Sequence, residues 1–240
     1  MIKTKIMSGY MIKLALRITI FLTVFIMYLY DKSLLITLLN QPLFSSINFL
    51  HILWFIFMFM MLKHLFPQEP FTMALLKSKK KKFVPVDNHS RLELLEFIQK
   101  QNIAAWRVML IWLLGNSVIG LLHALNILND ADLFMLTVFY FLCDYICILF
   151  YCPFQTHIMK NKCCVNCRIY DWGHFMMFTP MIMIKSFFTW SLFFMAALVL
   201  IRWEFVYAKY PERFYSGSNK RLQCANCKDK TCQIKKKVSK

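Results

Sequence analysis

The apolar stretch of residues 174–204, HFMMFTPMIMIKSFFTWSLFFMAALVLIRWE, decides the topology of this chain. Thr179-Pro180 and Lys185 interrupt it, so it reads either as one long membrane helix or as two short arms bent near Lys185. Each arm would have about fifteen residues, or roughly 22 Å of helix, which is too short to cross the hydrocarbon layer of roughly 30 Å. Two such arms are typical of a re-entrant hairpin buried against protein.

Cysteine clusters flank this stretch on both sides. Cys163-Cys164-Val165-Asn166-Cys167 precedes it, and Cys224-Ala225-Asn226-Cys227 follows, with Cys232 close behind. Two C-x2-C pairs are the usual way to present four thiolates to one metal, because the two-residue gap lets both sulfurs reach one ion at about 2.3 Å. We therefore predict a metal site whose four ligands are Cys164, Cys167, Cys224 and Cys227. Further possible ligands are Cys163, Cys232 and His174.

Three chemistries fit such a set of cysteines. The first is a structural zinc site that ties the C-terminal tail to the helices. The second is an iron-sulfur cluster, which four thiolates also hold, although the C-x2-C-x2-C run and the Cys-Pro of bacterial ferredoxins are missing. The third is thiol-disulfide exchange, for which C-x2-C is a working motif. Cysteines without any shared site remain the fourth alternative.

The composition places the chain in a membrane. Apolar residues make up 59% of the chain and charged residues 17%, whereas soluble domains average about 45 to 50% and about 25%. The sequence predicts an all-α, polytopic integral membrane helix bundle. The net charge of +17 fits cytoplasmic loops facing anionic lipid, and the basic runs lack the interleaved aromatics of a nucleic-acid-binding module.

Four full spans are predicted, at residues 14–30, 47–66, 106–128 and 133–152, with residues 174–204 as a fifth apolar segment. The chain divides accordingly into an N-terminal membrane hairpin (1–66), a basic cytoplasmic loop with an interfacial helix (67–105), a second membrane hairpin (106–152) and a cysteine-cluster module (153–240). Ser90 and Glu93 match a capping box at the start of the interfacial helix.

Basic residues predict the orientation. The run Lys77-Ser78-Lys79-Lys80-Lys81-Lys82 makes the first loop cytoplasmic and a candidate contact for anionic lipid headgroups, which also places the N-terminus of a cell-membrane protein in the cytoplasm. Eleven basic residues follow between Arg202 and Lys240. They favour the hairpin, because one crossing would put them outside and away from the first cysteine cluster. The result is a small cysteine-rich cytoplasmic cap, where a protein partner could dock.

Four polar residues are predicted to lie within the bilayer: Asp144, Asn116, His123 and Lys185. Asp144 needs a proton, a partner or a water-filled cavity, because an unpaired charge there costs several kcal/mol. A buried Lys185 at the hairpin tip would be one partner, and Asn116 lies at a matching depth on the neighbouring helix. Arg17 is expected to snorkel from the first helix to the membrane surface.

The function follows only in outline. The sequence carries no Walker loop, dinucleotide fingerprint, nucleophile elbow or zinc-protease helix, and so it identifies no catalytic residue. The leading hypothesis is a membrane protein with a cytoplasmic zinc site that ties its tail to the bundle. The alternatives are a membrane oxidoreductase that uses an iron-sulfur cluster or a reactive dithiol beside a lipid-soluble substrate, and a small transporter built on Asp144 and Lys185.

Overall fold

The computed structural model describes residues 5–40, 49–68, 72–87, 90–161, 163–230 and 232. Within these residues all regular elements are helical, and the α-helices are α1 (Lys5–Tyr30), α2 (Lys32–Asn40), α3 (Phe49–Leu65), α4 (Met73–Leu76), α5 (Arg91–Ala124), α6 (Asp130–Leu149), α7 (Gly173–Phe178) and α8 (Phe187–Lys209). Short 3-10 and π-helical turns connect them. The predicted all-α class is confirmed for this part of the chain.

Among the described residues, four helices are long and apolar enough to cross a membrane: Ser8–Tyr30, Arg91–Ala124, Asp130–Leu149 and Phe187–Lys209. The count agrees with the four predicted spans, but one member differs. The segment predicted at residues 47–66 gives α3, whose 17 residues fall short of a full span, while its predicted start at Ile47 lies outside the described residues. The other difference is α8, which is long enough to span, whereas the sequence predicted a short arm of a hairpin there.

The helices of residues 174–204 are interrupted between Met183 and Phe187, and the two arms on either side are unequal. The first arm combines α7 with the 3-10 turn Thr179–Met183, which together rise only about 19 Å. The second arm is α8, whose 23 residues extend about 34 Å, so the prediction of two equally short arms is wrong. The reason is that no proline or glycine interrupts residues 187–209, whereas Pro180 and the change to 3-10 geometry shorten the first arm.

Side-chain contacts define two ends of the bundle. Helix α1 runs antiparallel to α6, since Tyr10 contacts Tyr145 while Tyr28 donates a hydrogen bond to Asp132 at 2.6 Å. The end with Tyr10, His64 and the cysteine clusters is called the cysteine end below. The opposite end, with the turn Asn129–Asp132, is called the acidic end. Lys185 belongs to the acidic end, because Met183 lies against Gly120 near the C-terminus of α5.

Helix α5 is one continuous helix of 34 residues. The sequence predicted an interfacial helix and a separate span starting near Trp106, but no glycine or proline between Arg91 and Ala105 breaks the helix. Ser90 is its N-cap, and its hydroxyl accepts a hydrogen bond from the Glu93 amide at 3.4 Å, as half of the expected capping box requires. At about 51 Å the helix exceeds the hydrocarbon thickness of about 30 Å.

Lys77 is buried and does not lie on the surface with the rest of its basic run. Its ammonium group donates to the carbonyls of Val165 at 2.8 Å and Cys167 at 3.0 Å, and it also lies over the Trp203 and Phe214 rings. The expectation that Lys77 contacts headgroups is therefore wrong, whereas Lys80 and Lys81 are exposed. Burial lowers the pKa of Lys77 to about 8, while the neighbouring cysteines and Asp171 oppose the fall.

The tail docks on the cysteine end. The Asp229 carboxylate accepts hydrogen bonds from the Met73 amide at 3.2 Å, and Leu222 packs in one apolar cluster with Met73 and Val165. The Lys220 amide donates to the Val84 carbonyl at 2.8 Å, so the tail also pairs with the loop that follows Lys77. Residues 233–240, with the last four lysines of the predicted basic tail, lie outside the described residues.

Replacing Lys77 by alanine is expected to destabilise the protein by about 2 kcal/mol, because the Val165 and Cys167 carbonyls would be left buried without a donor. The matched control is Lys80→Ala, which removes an exposed lysine three residues away and should change stability by less than about 0.5 kcal/mol. Equilibrium unfolding in mixed detergent micelles measures both. Equal stabilities of the two variants would contradict the assigned role of Lys77.

Candidate functional site

The four cysteines predicted to bind one metal occupy two different surroundings. Cys164 and Cys167 are buried and face a cavity beside α6. Cys227 instead packs with Cys163 against the cluster of Met73, Val165 and Leu222, and Cys224 is exposed. Both pairs lie at the cysteine end. Residues 163–167 form the first cysteine loop; its Cys164 and Cys167 face the cavity, whereas Cys227 packs against the other side of the loop.

No group of three or more histidine, cysteine, aspartate and glutamate side chains is arranged to hold a metal ion within the described ranges. Metal binding by Cys164, Cys167, Cys224 and Cys227 therefore stays a prediction. The possible further ligand His174 lies elsewhere, with its ring 4.5 Å from the His64 ring. Cys232 lies close enough to Cys163 to raise the pKa of its thiol.

The cavity beside α6 is the main feature of this region, and its volume is about 410 Å³. Five of its lining residues are cysteines: Cys143, Cys147, Cys152, Cys164 and Cys167. The rest of the wall is mainly apolar and aromatic, with Trp112, Phe139, Tyr140, Tyr151 and Phe154 among its members. Because Phe139 and Tyr151 are about half exposed, at 46% and 51%, one wall of the cavity reaches the outer surface of the bundle. We name it the thiol cavity.

Cys147 and Cys152 are neighbours on the wall of the thiol cavity. Residues five apart point in different directions on a regular α-helix, so this approach needs an irregular turn. The turn forms because α6 ends at Leu149 and the Tyr151 amide reaches back five residues to the Ile146 carbonyl at 3.2 Å. The backbone N–H of Gln155 then donates to the Cys152 sulfur at 3.4 Å. This hydrogen bond favours the thiolate form of Cys152.

Cys164 is held by a ladder of amides. Its thiol donates to the Gln155 side-chain oxygen at 2.9 Å, and the Gln155 amide nitrogen donates to the Asn161 carbonyl at 2.9 Å. The Asn161 side chain pairs in turn with Gln101 of α5, at 3.3 and 3.5 Å. This ladder fixes the position of the Cys164 sulfur inside the thiol cavity.

Burial keeps the remaining loop thiols protonated. It raises the pKa of Cys167 to about 12, with the neighbouring Cys164 adding to the effect and the Lys77 charge opposing it. Burial likewise raises the pKa of Cys163 to about 11, and Cys164, Cys232 and Cys227 are its sulfur neighbours. At neutral pH these groups are thiols, and a bound metal would have to displace their protons.

Asp144 also lines the thiol cavity, and its partner is Arg17. The guanidinium lies 2.8 Å from the carboxylate, donates to the Phe141 carbonyl and is sandwiched by the Phe141 and Tyr145 rings at 4.0 and 3.9 Å. Arg17 is only 7% exposed, so the predicted snorkelling is wrong. The predicted pairing with Lys185 is wrong as well, because Lys185 is exposed at the acidic end.

A second buried polar cluster lies next to Asp144. The His64 Nδ1 atom is 2.7 Å from the Asp171 carboxylate, which is only 4% exposed, and the His174 ring packs edge-on against His64. Burial raises the pKa of Asp171, while the hydrogen bond with His64 opposes the rise. Gly173 joins this cluster to the ion pair: a Cβ atom there would lie 2.6 Å from the Asp144 oxygen, so a larger residue would displace the carboxylate.

The other two predicted intramembrane residues belong to helix packing. The Asn116 side-chain amide donates to the Trp112 carbonyl of its own helix at 2.9 Å, and its oxygen has no hydrogen-bond partner among the described residues. The Trp112 indole donates a hydrogen bond to Thr179 at 3.2 Å and Met183 lies against Gly120, so α5 packs closely on the turn Thr179–Met183. His123 bonds the Leu128 carbonyl at 2.9 Å and closes the α5–α6 turn.

Sequence reasoning missed Cys147, Cys152, Gln155 and Arg17 as parts of one site. Cys143 and Cys147 are spaced for one helix face, which was a usable signal, but the contact with Cys152 depends on the irregular end of α6. Pro153 was the available sign of that irregularity. Nothing in the pattern around Gln155 distinguishes it from an ordinary surface glutamine.

Breaking the buried ion pair is expected to destabilise the protein strongly. Arg17→Met or Asp144→Leu alone should cost about 3–5 kcal/mol, because each leaves one buried charge without its partner. The double variant should lose much less than the sum of the two. Unfolding in mixed micelles measures this cycle, with exposed Thr19→Ala on the same helix as the control. Additive losses would show that the two side chains do not stabilise each other.

Comparisons of this chain with protein-family models, with curated proteins and with solved structures found no match.

Proposed function

We propose that this chain is a membrane dithiol oxidoreductase, in which Cys147 and Cys152 exchange two electrons with a lipid-soluble acceptor of the quinone class bound in the thiol cavity. The observation that carries the proposal is that Cys147 and Cys152 lie side by side on the wall of an apolar cavity. This is the reactive-dithiol alternative drawn from the sequence, with a different pair of cysteines in the active role.

The size and lining of the cavity support an apolar ligand. Its volume of about 410 Å³ lies in the range of small-molecule sites, about 300–1,000 Å³. Aromatic rings line it, and a flat conjugated ring stacks well on such a wall. Since Phe139 and Tyr151 are partly exposed on the outside of the bundle, a ligand dissolved in the bilayer could enter sideways.

The redox step balances within the pair and its acceptor. Cys152 is the nucleophile, because the backbone N–H of Gln155 stabilises its thiolate. Cys147 is the resolving thiol, which attacks the bond that Cys152 has formed. Formation of the Cys147–Cys152 disulfide removes two electrons and two protons from the thiols. The quinone takes up both electrons and both protons and leaves as a hydroquinone. The reverse reaction uses the same atoms.

The orientation is part of the proposal. The basic residues of the cysteine end favour its placement in the cytoplasm, with the N-terminus on the same side of the cell membrane. Lys80 and Lys81, which are exposed, are the candidates for contact with anionic headgroups. Lys77 has no part in that contact, because it is buried under the first cysteine loop.

Adding ubiquinone-1 to the reduced protein in nanodiscs is expected to form a Cys147–Cys152 disulfide, seen as a loss of two thiols and as a cross-linked peptide in mass spectrometry. Cys147→Ser and Cys152→Ser should abolish the reaction. Cys143→Ser is the matched control, since it lines the same cavity on the same helix and should react normally. An unchanged thiol count in the parent protein would refute the proposal.

A structural zinc site is the second candidate function. The observation that favours it is that Cys227 of the second pair packs in one apolar cluster with Cys163 and Val165 of the first cysteine loop. Zinc would then replace the protons of Cys164 and Cys167 and tie the tail to the bundle. An iron-sulfur cluster would use the same four ligands.

Elemental analysis of anaerobically purified protein decides the second candidate. A structural zinc site predicts about one zinc per chain, lost in the Cys224→Ser/Cys227→Ser double variant and retained in Cys143→Ser. Iron with sulfide would indicate the cluster. Protein free of both metals would exclude this candidate and leave the thiols available for exchange.

A further inference from the structure

A groove on the outside of the bundle lies between α5 and the segment that begins with the π-helical turn Phe154–Ile158. Its volume is about 320 Å³. Three basic and three aliphatic side chains line it: Arg107, His157, Lys160, Leu110, Ile111 and Ile158. The three basic side chains are exposed, and so are Leu110 and Ile111, at 55% and 52%. We name this site the basic groove.

The charges of the basic groove are not neutralised by the protein. None of its lining residues is acidic, and no carboxylate among the described residues forms an ion pair with Arg107 or Lys160. A cleft lined by charges of one sign attracts counter-ions, because the field is concentrated between its walls. The basic groove therefore favours an anionic ligand.

The backbone of Lys160 is held in an uncommon conformation. Its φ angle is 51°, in the left-handed region that lysine rarely adopts. Two hydrogen bonds close the turn around it: the Asn161 amide donates to the Gln155 carbonyl at 3.1 Å, and the Gln155 side chain donates to the Asn161 carbonyl at 2.9 Å. The fold thus keeps a strained residue at the position whose charged side chain lines the groove, as is common at binding sites.

The depth of the groove along α5 matches the edge of the hydrocarbon layer. A layer of about 30 Å takes about 20 helical residues, so counted back from Ala124 it begins near Ala105. Arg107 lies at that edge, and Leu110 and Leu114 follow on the same helix face, one and two turns deeper. Leu114 is 67% exposed. A positive site therefore lies directly above an apolar surface that faces the lipid.

The basic groove adjoins the exposed wall of the thiol cavity. The Tyr151 hydroxyl lies 2.6 Å from the His157 Nε2 atom. Tyr151 lines the thiol cavity, whereas His157 lines the basic groove. A ligand in the groove would thus sit beside the wall through which the cavity reaches the surface of the bundle.

We propose that the basic groove binds one anionic phospholipid, whose phosphate contacts Arg107 and Lys160 and whose acyl chain lies along Leu110, Ile111 and Leu114. A soluble phosphate would leave these aliphatic side chains uncovered. The choline group of a zwitterionic lipid would meet the same two cations, so a lipid with net negative charge binds better. This site goes beyond the function proposed above and does not depend on the redox reaction.

Native mass spectrometry of the protein in dodecyl maltoside, titrated with phosphatidylglycerol or phosphatidylcholine, measures the binding. The parent protein should bind phosphatidylglycerol more tightly. Arg107→Gln/Lys160→Asn should weaken that binding roughly 25-fold, a factor of about five for each basic residue removed. Asparagine tolerates the left-handed backbone of residue 160, so this variant removes charge without adding strain.

Arg91→Gln/Lys100→Gln is the matched control. It removes the same charge from two exposed positions of α5 that do not line the groove, and it should bind phosphatidylglycerol as the parent does. Equal affinities of the parent for the two lipids would overturn the proposal. So would unchanged binding of phosphatidylglycerol by Arg107→Gln/Lys160→Asn.

Two further measurements distinguish a lipid from a soluble phosphate. Phosphatidylglycerol with a diazirine in its acyl chain should cross-link to residues 110–114, mapped by peptide mass spectrometry. Glycerophosphoglycerol, which has the headgroup without acyl chains, should compete poorly with the lipid. Competition at equal concentration, or cross-links confined to other helices, would refute the lipid site. Neither measurement involves the thiols, so the oxidation of Cys147 and Cys152 by ubiquinone-1 is tested separately.

Discussion

The ion pair of Arg17 and Asp144 is the interaction on which the arrangement of the bundle depends. Neither charge tolerates an apolar environment alone, and together they bind α1 to α6 at the level of the thiol cavity. The aromatic rings of Phe141 and Tyr145 complete the shell around the guanidinium. Because Gly173 lies directly against the carboxylate, the same pair sets where the chain re-enters the bundle after the first cysteine loop.

At the cysteine end, polar side chains hold the cysteine loop in place through hydrogen bonds and ion pairs. Lys77 binds two carbonyls of the cysteine loop, and Arg168, the next residue after that loop, pairs with Glu204 of α8 and Asn102 of α5. Trp203 adds a hydrogen bond to the Arg168 carbonyl at 2.7 Å. Three helices and the loop are thereby joined by directional contacts, which explains why this end can keep sulfurs in fixed positions.

Much of the fold could be predicted from composition and periodicity. The helical class, the antiparallel α5–α6 pair and the interruption near Lys185 all follow from apolar runs and their breaks. The lengths of the two arms around Lys185 did not follow, because local 3-10 geometry after Pro180 depends on packing against α5. The burial of Arg17 was missed for a similar reason: periodicity places a residue on a helix face but does not identify the partner across it.

The site was harder to predict than the fold. Spacing grouped Cys164 with Cys227 as ligands of one metal, whereas in the structure Cys164 lines the thiol cavity and Cys227 packs against Met73, Val165 and Leu222. Cys147 and Cys152 come together through an irregular helix end that no spacing rule describes. Whether cysteines share a site depends on which side of a loop each sulfur faces, and that information lies in contacts such as those of Lys77 and Gln155.

Helix α5 is longer than the hydrocarbon core of a bilayer is thick. Its 34 residues exceed the hydrocarbon thickness by roughly two fifths of the helix, so its first turns extend as a rigid arm beyond the core of the bilayer. That arm carries Gln101 and Asn102, which bind Asn161 and Arg168 on either side of the cysteine loop. The cysteine loop is therefore attached by hydrogen bonds to a helix that is longer than the bilayer core is thick.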